Sequence, residues 1–362
     1  MGDHHKDPEI AETGQQHQTA PDQTAETGRR HQTAPDQTAE GGRRDGIAPG
    51  QTTEDEQRDG TASEQIVEGG QRDGVAAGQV IEVGGRYGVG AGEIVEVVGG
   101  VANRGFVLGE ELFLRVSRPG FEGDLRKEAA VVPVARAAGV LTPAIVEYDD
   151  SRAIIDAPYV VMRRVHGVEP TAGPPSGLAE QLAQLHEHER TEIPGLPQDD
   201  RDDPWQTVDQ LAEHGTIDLG TAKWLSDWFT RLSGRFDRNE AKVLIHGDVA
   251  AHNLLAGPDG ELLALIDWGD AARAPRGMDF AKLPLEHVAA ILPEYVRHTQ
   301  NAVREEEVAA AALWFHLDWG LGKLTADPWP GQRHWTAPPG SRVLGLLRFF
   351  AAGPPAPWRD LT

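Results

Sequence analysis

"VLIHGDVAAHNLLAGPDGELLALIDWGD", residues 243–270, is the stretch on which the reading of this chain turns. An apolar run, Val243-Leu244-Ile245, leads straight into His246-Gly247-Asp248. Asn253 follows, then the turn residues Gly257-Pro258-Asp259-Gly260, then a second apolar run ending in Asp267. Carboxylates and an amide at the ends of strand-like segments sit where desolvation penalises charge, so their placement asks for a chemical reason. Three reasons compete. Phosphoryl transfer needs one carboxylate at the acceptor hydroxyl and oxygen ligands for Mg²⁺ on the nucleotide phosphates. Asp248 would take or orient the acceptor proton, and Asn253 and Asp267 would hold the metal. A metal hydrolase would instead ligate ions through His246, Asp248 and Asp267, with His252 and His287 the nearby further candidates. The third reading is a structural hairpin whose polar residues cap turns. Four such groups within residues 246–267, all at the ends of apolar runs, weigh against it.

The rest of the composition narrows the class. The 362 residues leave room for two domains, or one domain and a tail. Net charge is −23; residues 1–94 carry 18 acidic and 8 basic side chains and the remainder 39 against 26, so neither part has the basic surplus that nucleic acid or an anionic membrane requires. Cysteine is absent, which removes disulfides, thiolate metal sites and a thiolate nucleophile. The start, "MGDHHKDPEI", is polar where a signal peptide would turn apolar, and no apolar run approaches the roughly 20 residues of a membrane span. A reducing cytoplasm is the expected location.

A fourteen-residue repeat runs from residue 11 to 108, from "AETGQQHQTAPDQT" to "VEVVGGVANRGFVL". The early copies hold almost no large apolar side chains and cannot bury enough surface to offset ordering entropy, so disorder is expected there. A β-solenoid is the structured alternative. Later copies gain Val and Ile, and "QVIEV" and "EIVEVV" read as strand-like alternation. The last copy is read as the start of a domain, which makes residues 1–94 a low-complexity tail.

From residue 95 the pattern is that of a packed unit. "RGFVLGEELFLRVSR" reads as strands around a Gly-containing turn, and "LRKEAAVVPVARAAG" as an amphipathic helix ended by Gly139. "AIVEYD" and "PYVVMRRV" follow as strands. Beyond a Pro/Gly connector the chain is mainly helical, in "GLAEQLAQLHEHER", "TAKWLSDWFTRLSGRF", the long run 286–324 and "SRVLGLLRFFAA". An α+β arrangement with a small sheet lobe (95–166) before a larger helical lobe (167–362) is expected.

"HGDVAAHN" followed by "LIDW" resembles the catalytic and metal loops of the aminoglycoside phosphotransferase and choline kinase family, over roughly residues 95–350. The resemblance implies a protein-kinase-like two-lobed fold, with ATP or GTP and Mg²⁺ between the lobes. It implies that Asp279 in "MDFAKL" braces the catalytic segment. "VVGGVANRGFVLGEELFLRV" is similar to the family's nucleotide-covering hairpin, with Gly99, Gly100 and Asn103 at its turn, where bare glycines let backbone N–H groups approach phosphate. Strand three of a kinase offers a cation to the phosphates, paired with a Glu on the next helix. The matching residues are Arg115, in place of the commoner Lys, and Glu128. "YVVMRRVHG" resembles the inter-lobe connector, so backbone near Met162 to Arg164 is expected at the base. His186 falls where the family often has a helical His, and its expected role is packing. Trp224, Trp228, Trp314 and Trp319 are expected to be mostly core.

These readings converge on a small-molecule kinase with Asp248 as catalytic acid–base. The acidic stretches 198–204 and 304–308, with the tryptophans, suggest an amine-bearing hydroxyl acceptor such as an amino sugar or amino alcohol. The rival is a pseudokinase-like binding module without catalysis, favoured by Arg115.

Overall fold

The computed structural model describes residues 75–97, 100–188, 192–198, 203–300, 303–327 and 338–362. The early repeats, expected to be disordered, lie outside the described residues, as do Gly99 and most of the 198–204 stretch.

Five antiparallel strands form the small lobe: β1 (Ile94–Val97), β2 (Asn103–Leu108), β3 (Leu112–Ser117), β4 (Ile145–Asp149) and β5 (Tyr159–Arg163), in spatial order β1-β2-β3-β5-β4. The two-residue period of a strand sends alternate side chains to opposite faces. Leu112, Leu114 and Val116 of β3, with Tyr159 and Val161 of β5, pack on one face; Val160 and Met162 pack on the other, against Leu125. Both faces of β5 are therefore buried, which is why "YVVM" reads as an unbroken apolar run.

A helix covers each face. α2 (Glu122–Ala137) brings Leu125, and Gly139 just past its end has φ +90°, a left-handed helix stop. The opposite face is closed by α1 (Ala77–Arg86), through Val80 and Val83, with Val75 just before it. This corrects two sequence expectations. "QVIEV" is helix, and the packed lobe already includes Val75, well before residue 95. Val80, Val83 and Gly84 lie three and four residues apart, a helical face, and a side chain on Gly84 would stand 2.8 Å from Ile94 Cδ1. Arg86 and Tyr87 then tie the helix end to Glu147 of β4. Burial and the Glu147 hydrogen bond push the Tyr87 hydroxyl up to about 12.

The larger lobe holds α3 (Leu178–Glu187), α4 (Pro204–Glu213), α5 (Leu219–Ser233), α6 (Leu285–His298), α7 (Glu305–Gly322) and α8 (Ser341–Ala351). From Val308 onward α7 is buried on nearly every side and runs through the core, touching α4, α5, α6 and α8. The run read as one helix over 286–324 is two, α6 and α7. Two short antiparallel ladders lie between α5 and α6 in the chain: β6 (Val243–Ile245) with β9 (Ala272–Ala274), and β7 (Leu254–Ala256) with β8 (Leu262–Leu265). Among the described residues no helix is long and apolar enough to cross a membrane.

Candidate active site

Asp248 lies on the loop from β6 to β7. The β7–β8 register sets Leu254 opposite Leu265, and Ile266 N–H donates to Asn253 O at 2.9 Å, so Asn253 and Asp267 emerge together at one end of the hairpin. Asp248 and Asn253 touch directly: Asn253 Nδ2 donates to Asp248 Oδ2 at 2.8 Å and to Asp248 O at 3.0 Å. With its nitrogen so committed, Asn253 turns its amide oxygen away from Asp248. An amide oxygen and a carboxylate are hard donors of the kind Mg²⁺ takes, so these residues fit such an ion.

The loop conformation depends on two backbone features. Gly247 has φ +82°, and a Cβ there would meet Asp270 O at 2.1 Å, so only glycine lets the chain pass. Asp267 itself is left-handed at φ +66°, a region Asp tolerates better than most residues. Asp279, fully buried, accepts from His246 N–H at 2.9 Å and Gly247 N–H at 2.6 Å, and pairs with His186 Nε2 at 3.0 Å. His186 in turn contacts Tyr295 OH at 2.8 Å through Nδ1. His186 thus works behind the loop.

Both ring nitrogens of His246 are occupied by backbone. Nε2 lies 3.0 Å from Ile266 O, and Asp248 N–H reaches Nδ1 at 3.2 Å. Since Ile266 O can only accept, Nε2 carries the proton and Nδ1 accepts. His246 also lies against Trp268, with ring centroids 4.5 Å apart. The hydrolase reading loses its first ligand, and no group of three or more His, Asp or Glu among the described residues is placed to hold a metal ion.

From the small lobe, Arg115 reaches both Glu128 and Asp267. Its NH1 nitrogen lies 2.6 and 2.7 Å from the Glu128 oxygens, and its NH2 nitrogen 2.9 Å from Asp267 Oδ2. Burial pushes the Glu128 carboxyl up, and Arg115 only partly offsets this. Burial would also raise Asp267, but Arg115 outweighs it and holds that carboxyl below its usual range. The strand-to-helix pair that the resemblance implied is formed, and the bond to Asp267 is an addition that sequence separation hid.

Lys282 is the residue that sequence reading missed. Its Nζ lies 2.8 Å from Asp248 Oδ1 and 2.9 Å from Asp270 Oδ2. His252 Nε2 stands 3.7 Å from Asp248 Oδ2. Burial would raise the Asp248 carboxyl, yet His252 and Lys282 together hold it far below the ordinary carboxylate range. "MDFAKL" contained the signal, since a basic residue three positions after the brace shares its rigid segment.

The nucleotide-side residues named from the sequence lie on the small lobe. Gly100 and Asn103 lie at the β1–β2 turn, where a Cβ on Gly100 would fall 2.2 Å from Asn103 O. Met162 is buried within β5, and Arg164 N–H is spent on Glu111 O at 2.9 Å. Trp228 and Trp314 are buried, Trp319 partly so, and Trp224 is half exposed. Lys282 and Arg342 already stand over the Trp319 ring, and Glu306 and Glu307 pair with Arg235 and Arg304. Among the described residues, Trp228 and Trp314 thus belong to the core, and Trp319, Glu306 and Glu307 already have cationic partners within the chain.

A five-stranded lobe joined to a helical lobe, with Asp248, Asn253 and Asp267 beside an Arg–Glu pair, defines a protein-kinase-like fold. The sequence matches the model of the phosphotransferase enzyme family over residues 93–315, more than half of its length, and the chain belongs to that family. No protein of curated function matches it. Among solved structures it is similar to the GDP complex of aminoglycoside 2'-phosphotransferase-IIIa, at 17% identity and TM-score 0.56, covering 76% of this chain and 97% of that one. A choline/ethanolamine kinase family protein from Mesorhizobium loti gives 17% and 0.52, covering 74% and 90%. Spectinomycin phosphotransferase in complex with ADP and spectinomycin gives 14% and 0.50, covering 78% and 96%.

Proposed function

We propose that the protein moves the γ-phosphoryl group of ATP or GTP to a hydroxyl of a small molecule. The observation that carries this reading is the Asp248 carboxylate, ionised and held by Asn253 and Lys282, next to the Asp267–Arg115–Glu128 chain. Asp248 orients the acceptor hydroxyl and accepts its proton as the oxygen attacks. Mg²⁺, held by Asn253 and Asp267, would neutralise charge on the phosphates when bound. Arg115 offers its guanidinium on the phosphate side and is kept in place by Glu128. Backbone at Gly100 and Asn103 would cover the phosphates. The connector at Met162 to Arg164 borders the base, with base contacts falling to groups other than the Arg164 N–H.

An amine-bearing acceptor is the finer part of the proposal. That part rests on likeness alone: the similar phosphotransferase above is described with spectinomycin. The 2.9 Å pair between Arg115 and Asp267 favours a second reading, a binding module in which the metal-side carboxylate stays engaged and no transfer occurs.

ADP release across a panel of hydroxylated and aminated compounds separates the two. Asp248→Ala is expected to abolish acceptor-dependent release while nucleotide affinity stays within about threefold, because Asp248 lies on the acceptor side. Asp267→Ala is expected to weaken Mg²⁺-nucleotide binding instead. Wild-type turnover in Asp248→Ala would overturn the assignment.

A further inference from the structure

Lys282 stands on the 3₁₀ segment Arg276–Lys282, three residues after Asp279. One short piece of chain therefore holds the catalytic loop twice. Asp279 takes the backbone N–H groups of His246 and Gly247, and Lys282 takes the side chain of Asp248. The Asp248 carboxylate is consequently gripped at both oxygens, by Lys282 at Oδ1 and by Asn253 at Oδ2. A carboxylate held by one donor can still turn about its last side-chain torsion, which is broad and roughly two-fold. Held at both ends, its plane is fixed. Lys282 is itself anchored, by Asp270 at 2.9 Å and by the Trp319 ring, whose centroid is 5.6 Å from Nζ.

We propose that Lys282 is a positioning residue for phosphoryl transfer, fixing the plane of the Asp248 carboxylate towards the acceptor hydroxyl. The inference rests on the kinase reading of the site. Lys282 acts through Asp248, so its loss falls on turnover rather than on nucleotide binding. A misplacement of about 1 Å in a reacting group costs on the order of a hundredfold in rate.

The test compares Lys282→Met, Lys282→Arg and Asp270→Asn with wild type in steady-state ADP release, with nucleotide affinity and melting temperature measured alongside. Lys282→Met is expected to lose about a hundredfold in kcat with nucleotide KM within about threefold. Lys282→Arg should recover a large part of that kcat, because a guanidinium can also donate to Asp248. Asp270→Asn removes the anchor without touching Asp248 and should cost only a few fold. If Lys282 were merely an ion-pair clip, Lys282→Met and Asp270→Asn would lower melting temperature and kcat equally, and Arg would restore stability without selective recovery of kcat; that pattern overturns the proposal. Wild-type kcat in Lys282→Met overturns it too. A wild-type protein with no acceptor-dependent ADP release, or an active Asp248→Ala, would instead remove the kinase reading beneath it.

Discussion

Replacing Arg115 with Met separates the two carboxylates that this guanidinium serves. Their exposures differ: the Glu128 side chain is 3% accessible and that of Asp267 42%. Without Arg115, Asp267 can be solvated, whereas Glu128 is left in the interior between α2 and the sheet. Removing one partner of a buried pair costs about 3–5 kcal/mol. That is a large share of the roughly 5–15 kcal/mol that holds a domain folded. Trp268 N–H still donates to Glu128 and keeps the loss from being larger. The sign of the pH dependence follows from the raised Glu128 carboxyl, which removal of Arg115 raises further. A native carboxyl that binds its proton more readily than the unfolded chain gives stability that falls as pH rises through its native value. Urea unfolding followed by tryptophan fluorescence should therefore show Arg115→Met markedly weakened near neutrality and partly restored in mildly acidic buffer. The double variant Arg115→Met/Glu128→Leu, which removes the stranded charge, should recover much of the loss at every pH. A single variant with the wild-type urea midpoint at both pH values would refute the argument that Glu128 depends on Arg115.

Two further outcomes follow from packing. Asp279→Asn puts an NH₂ group against one of the two backbone N–H donors it now accepts, and an unsatisfied buried donor costs about 1–3 kcal/mol; chemical denaturation should register that loss and ADP release should fall with it, while an unchanged midpoint would show that the loop is braced otherwise. A chain lacking residues 1–88 loses α1 and uncovers Phe106, Leu114 and Val161, so its melting temperature should drop sharply against a chain lacking only 1–74; equal melting of the two would mean that α1 adds nothing to the sheet.

Much of the site was legible because its chemistry is local. Asp248, Asn253 and Asp267 lie beside one hairpin whose apolar runs and turn residues announce it, and the helical spacing of α2 and α3 needed only the 3.6-residue period. In "QVIEV" the run Ile81-Glu82-Val83 also fits a short alternating strand; only the open face of the β-sheet, built from residues 94–161, decides that it is a helix. The pairing of Arg115 with Asp267, and of Lys282 with Asp248, joins residues 152 and 34 positions apart. Which charge meets which across such distances depends on how two lobes and a rigid 3₁₀ segment are packed. Local pattern sets the period and the caps of an element, whereas the partner of a buried charge is chosen by the tertiary structure, because only there does desolvation make an unpaired charge costly.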